Sequence, residues 1–297
     1  MLMMIGMVST QLGAATAKRI LGATGSCGST LLRLGFASAI LLVVIRPSLR
    51  MTWRTAGWIA AFGVAMAGMN LSFYTALTRV PLAVAVTIGF AGPLAVSLAA
   101  GRRRLDIACA LLAGGGVLLL AGVDDFASDV DPLGLALCGL LAVCWGGYVV
   151  FGSRVSQHAP RGQGLALGMA FAALCVAVGF VAVGFVAVGF VGSGRGAGAP
   201  GTALLDPRLL VLGFAVAVLS SVIPYSAEMA ALGRLPAGVF AVLLSLEPAI
   251  AAAVGAVLLG EVLTGAQFCG VLCVVSASIG TTWLATRTGR PRGTTPQ

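Results

Sequence analysis

Three carboxylates stand within or at the ends of long apolar runs, and they frame the chemistry open to this sequence. Glu247 lies in "LLSLEPAIAAAVGAVLLGE" with Pro248 beside it, and Glu261 closes the same stretch. Glu228 follows Pro224 and Tyr225 in "SSVIPYSAEMAALGRLP". One cation, Arg33, interrupts "STLLRLGFASAILL". Ionised groups are expensive in low-dielectric surroundings, and inside membranes they mark binding sites and ion pathways. Tyr225 and Glu228 are three apart and share a helix face, so a hydroxyl and a carboxylate beside a proline kink suit an ammonium group. The alternative is an ion pair of Glu228 with Arg234 near a helix end. Asn70 and Tyr74, four apart in "GMNLSFYTALTRVP", also share a face; a mid-membrane amide anchors a substrate carboxylate or bridges helices. Trp145 and Tyr148 share a face in "CWGGYVVFGSR", as a cavity wall or an interfacial belt.

Proline at 248 removes a backbone donor and frees the carbonyl one turn earlier. A membrane tolerates that only where the backbone lines a cavity or is buried in protein. Glu247 and Pro248 therefore read as a kink lining a central cavity, with the acid as a proton or cation site. The alternative is a structural acid, paired with Arg33 or capping backbone amides. Pro93 and Pro224 read as further kinks. Glu261 either reaches water or caps the helix that follows it. The sole histidine, His158, lies in the link "SQHAPRG", which leaves Ser-His dyads and intramembrane His-metal sites without a partner. The seven cysteines form no CxxC and read as small buried thiols. No GxxxxGK[ST] loop occurs, so a gradient rather than ATP must supply energy. No catalytic residue, metal or cofactor is expected, and the chain does not read as an enzyme.

The elements that hold these residues follow from composition. The chain is 59% hydrophobic and 9% charged, against about 25% charged in soluble domains. Its mean hydropathy is +1.05. This is the profile of an all-α polytopic membrane protein. The net charge of +9 is dispersed between apolar segments, which argues for a membrane lipid environment rather than nucleic acid. Apolar segments of spanning length predict ten helices near 2–22, 27–45, 55–77, 81–100, 105–122, 132–152, 163–192, 208–231, 236–259 and 265–286. The first run lacks a basic n-region and reads as a spanning helix rather than a cleaved leader. With both termini in the cytoplasm, twelve basic residues fall inside, among them Arg46, Arg50, Arg54, Arg102, Arg103 and Arg104. Five fall outside: Lys18, Arg19, Arg79, Arg195 and Arg208. That asymmetry is the positive-inside pattern. The basic tail 287–297 reads as disordered.

The chain also repeats itself. "ALTRVPLAVAVTIGFAGPLAVSLAA" from Ala76 aligns without gaps with "ALGRLPAGVFAVLLSLEPAIAAAVG" from Ala231. Arg79 matches Arg234, Pro81 matches Pro236 and Pro93 matches Pro248, while Gly92 stands where Glu247 does. Two five-helix units, 1–122 and 132–286, enter the membrane in opposite senses, an inverted repeat of the kind found in secondary transporters. The shared proline is thus a feature of both halves and the acid of one. A second repeat, "VAVGFVAVGFVAVGF", turns about 140° per step, so it builds no face and reads as a lipid-facing lengthening of the seventh helix.

These features resemble the drug/metabolite transporter superfamily in its EamA-domain branch. "SLEPAIAAAVGAVLLGE" is similar to the ending of the second EamA repeat. "GMNLSFYTALTRVPLAVAVTIGFAGPLAVSLAAGRRRLD" and "LSSVIPYSAEMAALGRLP" resemble the bacterial threonine/homoserine exporter family. The pentapeptide expansion and a shorter start depart from the family pattern, at the outer ends of helices one and seven. The resemblance implies export of amino acids or related small metabolites across the bacterial inner membrane, driven by protons. It carries over to Asn70, Tyr74, Pro93, Tyr225, Glu228, Glu247 and Pro248. The expected mechanism is alternating access of the two halves around a midplane site, with substrate and proton as ligands. Efflux of drugs or hydrophobic cations is the alternative, and a non-transporting scaffold is a third reading. Nothing in the sequence sets an oligomeric state.

Overall fold

The structure, a computed structural model, describes residues 2–99, 104–120, 131–159, 162–190, 206–224 and 246–287. Every regular element among them is a helix: α1 Leu2–Ile45, α2 Trp53–Ala76, α3 Leu82–Ala99, α4 Arg104–Leu120, α5 Pro132–His158, α6 Gln163–Phe190, α7 Pro207–Ala217, α8 Glu247–Val254 and α9 Gly265–Arg287. π-helical turns continue α7 over Val218–Val222 and α8 over Gly255–Leu259. Among the described residues four helical stretches are long and apolar enough to cross a membrane: Leu21–Ile45, Trp53–Ala76, Pro132–His158 and Gln163–Val181. Shorter apolar helices cover Leu82–Val96, Pro207–Val222, Glu247–Leu259 and Gly265–Ala277. The chain is a multi-pass membrane protein. Helices are what such a sequence must form, since hydrocarbon offers the backbone no partner but itself.

The ends of the elements are written locally. Gly25 breaks α1 at φ 67 and ψ 169, a left-handed conformation that glycine adopts without steric cost. Two limbs result, at the expected spans 2–22 and 27–45. Asp131 and Asp206 cap α5 and α7, each followed by a proline whose missing N–H needs no partner there. The Arg79 guanidinium, 2.5 Å from Asp131, holds the Asp131 carboxyl below the usual carboxylate range; desolvation opposes this, and the Leu133 and Gly134 amides help. Thr264 and Gln267 form a reciprocal capping box at the start of α9, at 3.1 and 3.2 Å. Helix α5 is longer than the 132–152 expected. It carries Arg154 and His158 on its last turns, so His158 lies on a helix and not in a link, its Nδ1 2.8 Å from the Arg154 carbonyl. The pentapeptide repeat continues α6 without a break to Phe190.

Small residues bring the helices together, as membrane packing requires. A Cβ on Gly92 would lie 1.8 Å from the Ala142 carbonyl oxygen, so α3 and α5 touch backbone to backbone. A Cβ on Gly13 would lie 2.7 Å from Ser220 Cβ, so the first limb of α1 lies directly on the π-turn after α7. One apolar cluster joins Ala14, Tyr74, Leu82, Val216 and Ala251. A second joins the other limb of α1 to α2, α5 and α6 through Leu34, Met66, Val155 and Met169. These contacts set the position of the polar residues.

Candidate functional site

Helix α7 runs on into the π-turn Val218–Val222. Ile223 N–H donates to the Val218 carbonyl, five residues back. The next residue is Pro224, which has no N–H. Position 224 therefore offers no N–H to the Leu219 carbonyl, five residues before it, in the π pattern, or to the Ser220 carbonyl, four before it, in the α pattern. Two side chains of α1 replace it. Ser9 Oγ donates to the Leu219 carbonyl at 2.6 Å. Arg33 Nη2 donates to the Ser220 carbonyl at 2.9 Å. Arg33 Nε also reaches Ser221 Oγ at 3.2 Å, and Nη1 reaches Tyr74 Oη at 3.4 Å. Its guanidinium carbon lies 5.8 Å from the centre of the Tyr74 ring. Arg33 is 8% exposed and Tyr74 wholly buried. Two of the expected site residues, Arg33 and Tyr74, are thus in contact, with Pro224 explaining why the arginine docks where it does.

Glu247 opens α8 and Pro248 occupies its first turn, where a missing donor costs nothing and the positive helix end favours an acid. Glu247 is 8% exposed, and its Oε1 accepts from Gln11 Nε2 at 3.4 Å. Gln11 lies between Ser9 and Gly13, both of which touch the Leu219–Ser220 turn. The Gln11–Glu247 contact and the Arg33 cluster therefore lie in the same layer of the bundle. Gln11 Oε1 is buried without a hydrogen-bond partner among the described residues, and so is Asn70 Oδ1. Asn70 Nδ2 turns back to the Met66 carbonyl at 2.8 Å, leaving its oxygen as an open acceptor one turn before Tyr74. Buried polar groups in folded proteins are nearly always satisfied, so two open acceptors in one protein call for an explanation.

Other expectations divide. Among the described residues the groups touching the Arg33 guanidinium are neutral, so its ion pair with Glu247 is not what the structure holds. Trp145 packs edge-on against Phe90 of α3, centroids 5.9 Å apart, while Tyr148 stacks on Phe62 of α2 at 4.9 Å. The two aromatics share a face of α5 but serve different neighbours, because that face fills the angle between α2 and α3. Pro93 sits in the interior of α3. Tyr225 and Glu228 lie outside the described residues. Glu261 does not cap the following helix. Its Oε1 pairs with Lys18 at 2.5 Å and its Oε2 accepts from Leu82 N–H at 2.9 Å, capping α3. Lys18 also donates to the Val80 carbonyl at 3.3 Å. Gly255 leaves room for this carboxylate, since a Cβ there would lie 2.5 Å from Oε2.

Sequence reasoning passed over Gln11, Ser9, Ser220 and Ser221. Their signal was present as polar residues in "MVSTQLGAATA" and "SSVIP", but uncharged residues are common within membrane helices and nothing local distinguishes these.

Apolar membrane helices around a buried layer of ionisable and amide side chains define a multi-pass membrane protein of the transporter class. Residues 132–283 match the EamA-like transporter family. The chain is 37% identical over 284 residues to the threonine/homoserine exporter RhtA of Salmonella typhimurium (strain SL1344), covering 95% of this chain and 90% of that protein. It is 37% identical over 283 residues, with the same coverage, to the protein of that name from Escherichia coli (strain K12). A solved crystal structure shares the fold, with TM-score 0.57 at 20% identity over 97% of this chain and 99% of that one. The chain belongs to the EamA-like transporter family.

Proposed function

We propose that this protein is a secondary active exporter of amino acids, threonine- or homoserine-like, or of related small metabolites. It exchanges its substrate for protons across a bacterial cytoplasmic membrane by alternating access, with both termini in the cytoplasm. The observation that carries the reading is 37% identity over 95% of the chain to proteins named threonine/homoserine exporters. The polar layer supports it, for it combines a cation, an acid and open acceptors suited to a zwitterion. Two crossings support ten helices in inverted halves. Gly92 of α3 meets α5, and Glu247 of α8 meets the first limb of α1. In each crossing the fourth helix of one half meets the first helix of the other, the relation expected of a pseudo-two-fold axis. Buried Arg33 in the same layer disfavours a cationic cargo.

In this reading Glu247 exchanges the proton. Glu228, Tyr225, Asn70 and Tyr74 contribute to the substrate site, Trp145 walls it, and Pro93, Pro224 and Pro248 shape the moving helices. Counterflow of labelled threonine or homoserine in proteoliposomes tests it. The wild type is expected to exchange either amino acid and to respond to an imposed pH gradient. Glu247→Gln is expected to retain exchange and lose the response. A wild type that moves neither amino acid sinks the cargo; a Glu247→Gln protein with full proton coupling sinks the role of the acid.

A further inference from the structure

We infer that Arg33 binds the carboxylate of the transported molecule, so that the ionic partner of this buried guanidinium arrives with the substrate. The inference rests on the amino-acid reading above and adds the recognition element. Guanidinium carries five N–H donors in a planar fork. Here it meets a carbonyl, a serine hydroxyl and a tyrosine hydroxyl, at 2.9, 3.2 and 3.4 Å, the last two longer than charge-assisted bonds. These partners, all it has among the described residues, are neutral; a buried charge so held is costly, and removal from water is repaid by an opposite charge held at close range.

The structural work that Arg33 does here needs no charge. Side chains of α1 donate to two neighbouring carbonyls of this turn, and Ser9 serves one of them with a hydroxyl alone. A neutral donor would satisfy the other. The positive charge and the unused N–H groups are in excess of that task, and a fork of this shape is matched by a carboxylate, which it binds through two parallel bonds. Ser221 and the Tyr74 ring hold the plane of the guanidinium from α7 and α2.

The rest of the layer complements this. Gln11 Oε1 and Asn70 Oδ1 are acceptors, on residues at least 98% buried, without a partner among the described residues. Asn70 stands one turn before Tyr74, about 6 Å along the same face of α2. Acceptors in that place are what an ammonium group requires. A small zwitterion carries both groups, a carboxylate for Arg33 and an ammonium for acceptors of this kind.

The test uses the full-length protein in proteoliposomes. Counterflow of labelled threonine is competed with unlabelled threonine and with threoninamide, which keeps the ammonium and hydroxyl and lacks the carboxylate. The wild type is expected to prefer threonine at least tenfold. Arg33→Gln is expected to raise KM at least tenfold and to erase the preference. Arg33→Lys, with the charge but not the fork, is expected to fall between them. Size-exclusion and thermal unfolding profiles report whether each variant is folded. Equal competition by threoninamide in the wild type overturns the inference. So does a folded Arg33→Gln with wild-type KM and preference or, should that variant not fold, an Arg33→Lys with both unchanged. A wild type that exchanges no amino acid removes the parent reading and this inference together, whereas exchange of threonine without carboxylate preference removes this one alone.

Discussion

Gly92→Ala is expected to destabilise this protein out of proportion to one methyl group. The added Cβ would lie 1.8 Å from the Ala142 oxygen, 2.7 Å from the Ala142 carbonyl carbon and 3.0 Å from Gly146 N. Close carbon–oxygen contacts lie near 3.3–3.6 Å, so α3 and α5 would have to part by about 1.5 Å. No rotamer relieves the clash, because the obstructing atoms are helix backbone. Parting the helices also loosens Gly89 from Leu141 and Phe90 from Trp145 along the same seam. Overpacking costs about 1–3 kcal/mol where side chains can yield, and here they cannot, so the upper end is the starting point. Alanine returns about 1 kcal/mol of helix propensity. The net loss is then about 2 kcal/mol or more. Gly139→Ala in α5 is the control, since its Cβ would meet nothing within 4 Å, and it should gain about 0.5–1 kcal/mol. Unfolding of the purified proteins in mixed micelles, titrated with SDS and followed by circular dichroism, reads the difference. A Gly92→Ala protein as stable as Gly139→Ala would show that the backbone contact, and the account of the α3–α5 crossing built on it, is wrong.

Two further perturbations bear on the polar elements. Pro224→Ala supplies an N–H where the helix lacks one; the helix should stabilise as it gains an internal hydrogen bond, while KM for the exchanged amino acid rises several-fold as that N–H competes with Arg33 for the Ser220 carbonyl. A fall in thermal stability with unchanged KM would contradict this. A double-mutant cycle of Lys18→Met and Glu261→Gln should give a coupling of about 1 kcal/mol or more, above the usual 0.2–1 for exposed pairs, because these side chains are only 25% and 11% exposed. Coupling under about 0.3 kcal/mol would reduce the pair to a surface contact.

Much of the architecture was legible because hydrocarbon imposes simple rules on a sequence. Apolar runs of spanning length marked the helices, and the ends that lie among the described residues fall within a few residues of the marks, save where α5 runs on to His158; the expected end at 231 and start at 236 lie outside them. The break at Gly25 was legible as a gap between two runs, and its positive φ suits a residue free of a Cβ. Arg33 and Glu247 stood out because charge in such runs is rare, and both are buried. Their partners were not legible. Glu261 lies four residues before α9, yet it caps α3, almost two hundred residues away in sequence. A carboxylate seeks the nearest free amides in space, and local pattern does not report these. Trp145 and Tyr148 looked like one aromatic surface, but α5 lies between two helices and each ring packs on its own neighbour.

The repeat shows where one kind of information ends and the other begins. By itself the sequence determined that Gly92 and Glu247 hold matching places before a shared proline, and that only one half carries the acid. It determined this because alignment of the two halves needs no structure. Only the tertiary structure decided why. At position 92 the chain passes so close to α5 that any side chain would strike the backbone of its neighbour. At position 247 the start of α8 faces Gln11 across a gap wide enough for a carboxylate. The residue types followed from distances between helices, and those distances are set by packing partners far apart along the chain.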